Sequence, residues 1–367
     1  MTGGAGPEAD GVGARACAPL AAMASWPALV VLCLLCVLWV LVGCSSCHLS
    51  NGAPAGGATT TTSNVSGMAL PTLPPVVLAQ PGEALLVGAG DIASCDGDDD
   101  EKTGRLVERV LSSTALPPER AWAFTLGDNA YPSGTLEQFV RCYEPAWGRF
   151  KDRTLPVVGN HDYRTAGAAG YRATFAARLG AKGPFWFAHD VPVGTPGSTA
   201  RWHVVVLDSN CDEIDCSGTG PQADWLRDDL RASGAACTVA LMHHPRFSSG
   251  PHGNRADLVP LYDVLVQGGV ELLLTGHDHI YERFAPLLAN GERDERFGIV
   301  NFVVGTGGRS HYDLGEPRAG SLVRFNDQSG VIVLHLAEDS YRWNFVDVTG
   351  AVRDAGQGRC HPPPGDE

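Results

Sequence analysis

Five short apolar runs in this chain each end on a cluster of Gly, Asp, Asn or His residues, and that pattern limits the fold more than any other feature. The clusters are Gly90-Asp91, Gly127-Asp128-Asn129-Ala130-Tyr131, Gly159-Asn160-His161-Asp162, His243-His244-Pro245 and Gly276-His277-Asp278-His279. Such residues are odd companions for buried sheet, but open α/β sheets hold their ligands just beyond the carboxyl ends of the strands. Five such ends are expected to converge on one site.

The runs themselves predict strands at 84–90, 121–127, 154–160, 202–209, 237–243, 270–276, 299–305, 331–336 and 341–348. Amphipathic stretches such as TGRLVERVLSS and QADWLRDDLRAS lie between them and read as helices. Alternation of this kind implies an α/β layered domain. The late strands have less helix between them, which predicts a second sheet packed on the first.

Upstream of this body, residues 26–43 read WPALVVLCLLCVLWVLVG, an uncharged run close to the minimum for a spanning helix. It stops at Leu41-Val42-Gly43-Cys44, which resembles a bacterial lipobox whose Cys44 would carry lipid. Residues 1–43 are thus expected to be a signal or lipoprotein-type leader, with an uncleaved anchor helix as the alternative and Met23 as a second candidate start. Either way the rest of the chain is expected outside the cytoplasm, tethered to the membrane by lipid or helix.

Residues 44–82 are rich in Thr, Ser, Gly and Pro and read as a flexible spacer. A catalytic domain is expected over 83–350 and a C-terminal tail over 351–367. Cys95, Cys142, Cys211, Cys216, Cys237 and Cys360 make an even set in an exported body, which predicts disulfides, with Cys211 and Cys216 the natural local pair.

The formal charge of -14, from 41 acidic against 27 basic residues, opposes attraction to a polyanion and argues against a nucleic-acid partner. Phosphate chemistry stays open, since bound cations can reverse the local field. The five clusters offer carboxylates, a phenol, an amide oxygen and imidazoles, a donor mixture suited to Fe, Zn or Mn rather than Ca. Seven such ligands with one Asp shared fit a two-metal site that clamps a phosphoryl group. His243 and His244 are both open as ligands on the residues alone, because a strand points neighbours to opposite sides.

The order Asp, GDxxY, GNH, a strand-end His and GHxH resembles the purple acid phosphatases within the calcineurin-like metallophosphoesterase superfamily. The resemblance runs over about residues 84–350 and implies a four-layer α/β/β/α sandwich, two packed mixed sheets flanked by helices. It further implies that Asp91, Tyr131 and His279 hold a first metal, that Asp128 bridges, and that Asn160, His243 and His277 hold the second. A phenolate ligand calls for a strong Lewis acid, so the implied cofactors are Fe(III) and a divalent Fe, Zn or Mn ion. Two departures, Ile92-Ala93 where the family has xG and Ala240-Leu241-Met242-His243 where it has VxxH, touch no ligand.

The activity implied is hydrolysis of phosphate esters, phosphomonoesters foremost, by attack of a metal-bound hydroxide. A phosphodiesterase on the same core and a non-catalytic metal-binding scaffold are the alternatives. His161 and His252 are the candidate catalytic groups, to bind phosphate or protonate the leaving group. The run Gly305-Thr306-Gly307-Gly308 lacks the Lys of a P-loop and reads as a turn near the site.

Overall fold

The computed structural model describes residues 73, 74 and 77–361. The leader at 1–43, Cys44 and most of the spacer lie outside the described residues. Among the described residues thirteen strands form two sheets. The first has six strands, in the order β13-β12-β11-β1-β2-β3, and the second seven, in the order β10-β8-β9-β7-β6-β5-β4. In chain order these are β1 (Ala84–Ala89), β2 (Ala121–Thr125), β3 (Thr154–Leu155), β4 (Phe187–Pro192), β5 (Arg201–Val206), β6 (Cys237–Leu241) and β7 (Leu272–Thr275). They continue with β8 (Tyr281–Leu287), β9 (Ile299–Val304), β10 (Ser321–Phe325), β11 (Gly330–Leu336), β12 (Ser340–Asp347) and β13 (Val352–Arg359).

Both sheets are mixed. The β1-β2-β3 and β5-β6-β7-β9 pairings are parallel, and β11, β12 and β13 add antiparallel strands. Side-chain alternation sets the layers. Along β6, Val239 and Leu241 enter the core that holds the first sheet, whereas Ala240 joins the cluster formed with the helices Pro221–Ser233 and Val259–Gln267. Leu272 and Leu274 repeat this against Leu273 on β7. A period of two therefore feeds two cores at once, giving helices, sheet, sheet and helices in four layers.

Three sequence expectations change. The segment at 154–160 pairs only at Thr154–Leu155, because Pro156 has no N–H to give a ladder. The stretch 351–367 is not simply a tail, since β13 pairs with β12 and Cys360 is bonded to Cys237. The end of the spacer also joins the body, with Leu73 and Val77 buried in its core. The other two disulfides are Cys95–Cys142 and Cys211–Cys216. Among the described residues no helix is long and apolar enough to cross a membrane.

Candidate metal centre

The parallel strands β1, β2 and β3 deliver Asp91, Asp128, Tyr131 and Asn160 from one sheet. The ends of β6 and β7 deliver His243, His277 and His279 from the other. The two sheets are tied where these ends meet, by Gly90 N–H donating to the Val304 carbonyl at 2.8 Å and by the His243 ring bonding the Leu126 carbonyl at 2.7 Å. Asp91, Asp128 and His277 have φ of 59°, 50° and 70°. Left-handed backbone at a non-glycine costs on the order of 1 kcal/mol per residue, and three such costs at one spot are typical of a site under functional constraint.

The seven side chains form two nests that share Asp128. In the first, the Tyr131 hydroxyl lies 2.9 Å from Asp91 Oδ1, 3.1 Å from Asp128 Oδ2 and 3.1 Å from His279 Nε2. His279 commits its Nδ1–H to the Ser310 carbonyl at 2.7 Å, so in the neutral ring Nε2 is a lone pair. One phenol proton thus faces three acceptors, a donor set whose negative charge and lone pairs suit a cation.

In the second nest, His243 gives its Nδ1–H to Leu126 and turns the Nε2 lone pair toward three further donor atoms. These are Asn160 Oδ1 at 2.9 Å, His277 Nδ1 at 3.3 Å and Asp128 Oδ1 at 3.4 Å. Rings whose far nitrogen is anchored to a carbonyl are held in a fixed tautomer and orientation, the usual arrangement behind metal-ligating histidines. The donor sets fit two cations.

Protonation behaviour agrees with this crowding. Burial, then the charges of Asp128 and Asp91, push the Tyr131 phenol far above its ordinary value, so it would ionise only against a strongly Lewis-acidic cation. Burial opposes ionisation of Asp91 as well, but the neighbouring His279, His243 and His277 outweigh it and bring the carboxyl to about 2. Burial, followed by the field of His243 and His252, drives His277 down to about 2.

His161 and His252 flank the nests. His161 bonds its Nδ1 to the Pro132 carbonyl at 2.7 Å, places Nε2 3.8 Å from Asp128 Oδ2 and packs against the Tyr131 ring at 4.5 Å. His252 bonds its Nδ1 to Asp278 Oδ1 at 2.8 Å and packs on His277 at 4.2 Å. The strand argument for choosing between His243 and His244 does not apply, because β6 ends at Leu241 and both rings lie beside His277, at 5.0 and 4.3 Å. His244 Nδ1 is engaged by Ser209 at 3.0 Å, whereas His243 alone reaches Asn160 and Asp128.

Sequence reasoning missed several supporting residues. Asp162 is fully buried, accepts from the Gly159 N–H and the Asn129 amide, and is pushed up to about 7 by burial and by Asp128. Asp278 orients His252 and accepts from the Ser248 hydroxyl. Both stand next to predicted ligands or flanking histidines, which was a usable signal. Tyr312, stacked on His279 at 3.9 Å, had none.

The calcineurin-like phosphoesterase model matches residues 79–281, more than half of the chain. The chain belongs to this family. Among curated proteins it is similar to purple acid phosphatase 3 of Arabidopsis thaliana, 26% identical over 263 residues, covering 63% of this chain and 66% of that protein. Purple acid phosphatase 23 of the same plant is 27% identical over 175 residues, covering 42% and 35%. This chain therefore spans just under two thirds of the first relative and about a third of the second.

Among solved structures, GAP50, the anchor in the inner membrane complex of Plasmodium, superposes with a TM-score of 0.59 at 15% identity, over 77% of this chain and 90% of that one. Purple acid phosphatase PPD1 from yellow lupin seeds gives 0.56 at 17%, over 77% and 55%. At those identities the two likenesses establish the fold, an α/β metallophosphoesterase sandwich. Family membership supports a hydrolase and a dinuclear metal site.

Proposed function

We propose that this chain is a hydrolase of phosphate esters, phosphomonoesters foremost, working at a centre where Asp91, Tyr131 and His279 hold one metal, Asn160, His243 and His277 hold a second, and Asp128 bridges. The observation that carries the reading is the division of Asp128, one oxygen in each nest of donor atoms. The buried phenol of Tyr131 favours Fe(III) in the first position, with divalent Fe, Zn or Mn in the second. When bound, the two cations would supply Lewis acidity toward the phosphoryl group and an acidified water.

The protein's own groups do the rest. The Pro132 carbonyl can only accept, so His161 carries its proton on Nδ1 and turns a lone pair toward the centre. His252 is oriented by Asp278 and stands on the solvent side, 42% exposed, where it can protonate the departing alcohol. Asp278 thereby acts as a positioning residue.

The deciding experiment loads the full-length protein with metal, counts the metals by elemental analysis and compares p-nitrophenyl phosphate with its bis ester. Faster monoester turnover supports the reading; faster diester turnover makes the chain a phosphodiesterase. With both metals bound and neither substrate cleaved, the scaffold alternative wins, a role that the likeness to an anchor protein keeps in view. We also propose that Cys44 tethers the catalytic body to a membrane surface outside the cytoplasm.

A further inference from the structure

Tyr131 is shared between the metal centre and a neighbouring pocket of about 390 Å³, whose lining includes Ser94, Asp96, Glu137, Arg141 and Arg309. Two of these residues are cations. Arg141 is exposed and paired with Glu137 at 3.1 Å. Arg309 is half-buried, and among the described residues no carboxylate pairs with its guanidinium. Its guanidinium lies 5.1 Å from the Tyr131 ring centre and donates once, to the Ser94 hydroxyl at 3.3 Å.

A guanidinium has five N–H donors in a rigid fork, and partly desolvating it without an anionic partner is unfavourable. The chain as a whole is strongly acidic, and Glu137 in this pocket is taken up by Arg141, so a guanidinium left without a paired carboxylate among the described residues stands against the general composition.

Arg309 is also fixed relative to the metal centre. Its backbone N–H donates to the Asp91 carbonyl at 2.9 Å. The preceding Gly308 has φ of 153°, and a Cβ there would stand 2.6 Å from the Asp100 nitrogen and from the Ile92 carbonyl. Only glycine lets the loop press so close to the segment after β1. The GTGG run, which the sequence suggests is a turn near the site, thus carries Arg309 to the edge of the centre. Because Tyr131 belongs to both the centre and this pocket, an ester held at the two cations with its alcohol on the Tyr131 side would meet this fork.

Resting on the proposed hydrolase activity, we propose that Arg309 forms a second anion subsite, and that the substrate is a phosphate ester whose alcohol carries a further carboxylate or phosphate. Arginine binds either group bidentately, which supplies the specificity that metal coordination of the reacting phosphate does not.

The test compares phenyl phosphate, 4-carboxyphenyl phosphate and hydroquinone bisphosphate as substrates of the metal-loaded full-length protein. In parallel, calorimetry measures binding of phenylphosphonate and 4-carboxyphenylphosphonate. The wild type should prefer one doubly anionic substrate by about tenfold or more in kcat/KM, and the better of the two identifies the second anion. R309A should lose most of that preference and the matching difference in phosphonate binding, while R309K keeps part of it.

A loss of folding or of metal would lower all substrates together and leave their ratio unchanged. Equal ratios in wild type and R309A, or no preference in the wild type, overturn the subsite. Absence of any hydrolysis with both metals bound overturns the hydrolase reading instead, and the phosphonate binding then decides the subsite by itself.

Discussion

Gly127 stands behind the second nest, and replacing it with alanine tests how rigidly that nest is built. Its φ is 86°, and a Cβ would stand 2.4 Å from His243 Nδ1 and 2.6 Å from Cγ. Ordinary contact needs about 3.5 Å, so the ring must retreat by about 1 Å. It cannot do so freely, being held by Leu126 at 2.7 Å on one nitrogen and facing Asn160 at 2.9 Å on the other. The left-handed backbone costs an alanine about 1–2 kcal/mol, and overpacking adds about 1–3 kcal/mol.

Gly167 provides the control. It has φ of 62° and open space around the added Cβ, so G167A carries only the backbone cost. At about 2 °C per kcal/mol for a domain of this size, G127A should melt roughly 2–6 °C below G167A. A misplacement of about 1 Å in a reacting constellation can cost about a hundredfold in rate, so kcat on p-nitrophenyl phosphate should fall on that order in G127A. Metal content by elemental analysis should fall with it. Wild-type kcat and two metals in G127A, with a Tm equal to that of G167A, would refute the claim that His243 is held against Gly127 in the working centre.

Tyr131→Phe should abolish the visible tyrosinate-to-iron absorption of the iron-loaded protein, and an unchanged spectrum would remove the phenol from the ligand set. Asp128→Asn keeps the size and the tolerance of left-handed backbone but withdraws the shared charge. Turnover should nearly vanish and metal content should drop, whereas retained activity at wild-type metal content counts against bridging. Glu83 is brought from 4.5 to about 2, because burial, which raises it, is outweighed by His335, Arg342 and the Gln80 N–H. An acid depressed in this way contributes its stability above its unfolded pKa and loses it as pH falls through the folded one. Urea midpoints should therefore fall between about pH 4.5 and 2 in the wild type and more shallowly in Glu83→Gln. Cys44→Ser should shift the expressed protein from the detergent phase to the aqueous phase, and an unshifted partition would favour the uncleaved helix.

Much of the candidate site was legible because each of its pieces is local. Asp128 and Tyr131 are three residues apart in GDNAY, and His277 and His279 are two apart in GHDH, so the donor chemistry can be read without knowing the fold. The strands that carry them were legible too, since β1, β2, β6 and β7 are short apolar runs closed by glycine or by polar residues. Four strands escaped. β4 and β8 contain Pro192 and Pro286 among charged residues, β10 is mostly half-exposed, and β13 reads VRDAGQGR with hardly an apolar alternation. Their strand character comes from partners such as β12 for β13, and pairing energy of that kind is not a property of the segment.

The sequence by itself determined the donor set, the layered α/β class and the even set of six cysteines from Cys95 to Cys360, because these follow from residue type and from periods of two and four along the chain. Only the tertiary structure decided that Asp128 divides its oxygens between two nests, that His243 rather than His244 faces Asn160, and that Arg309 lies over Tyr131 with no carboxylate partner among the described residues. Those relations join residues as many as 178 positions apart, as between Tyr131 and Arg309. They arise when two sheets close on each other, and the closure is set by packing across both cores rather than by any local pattern.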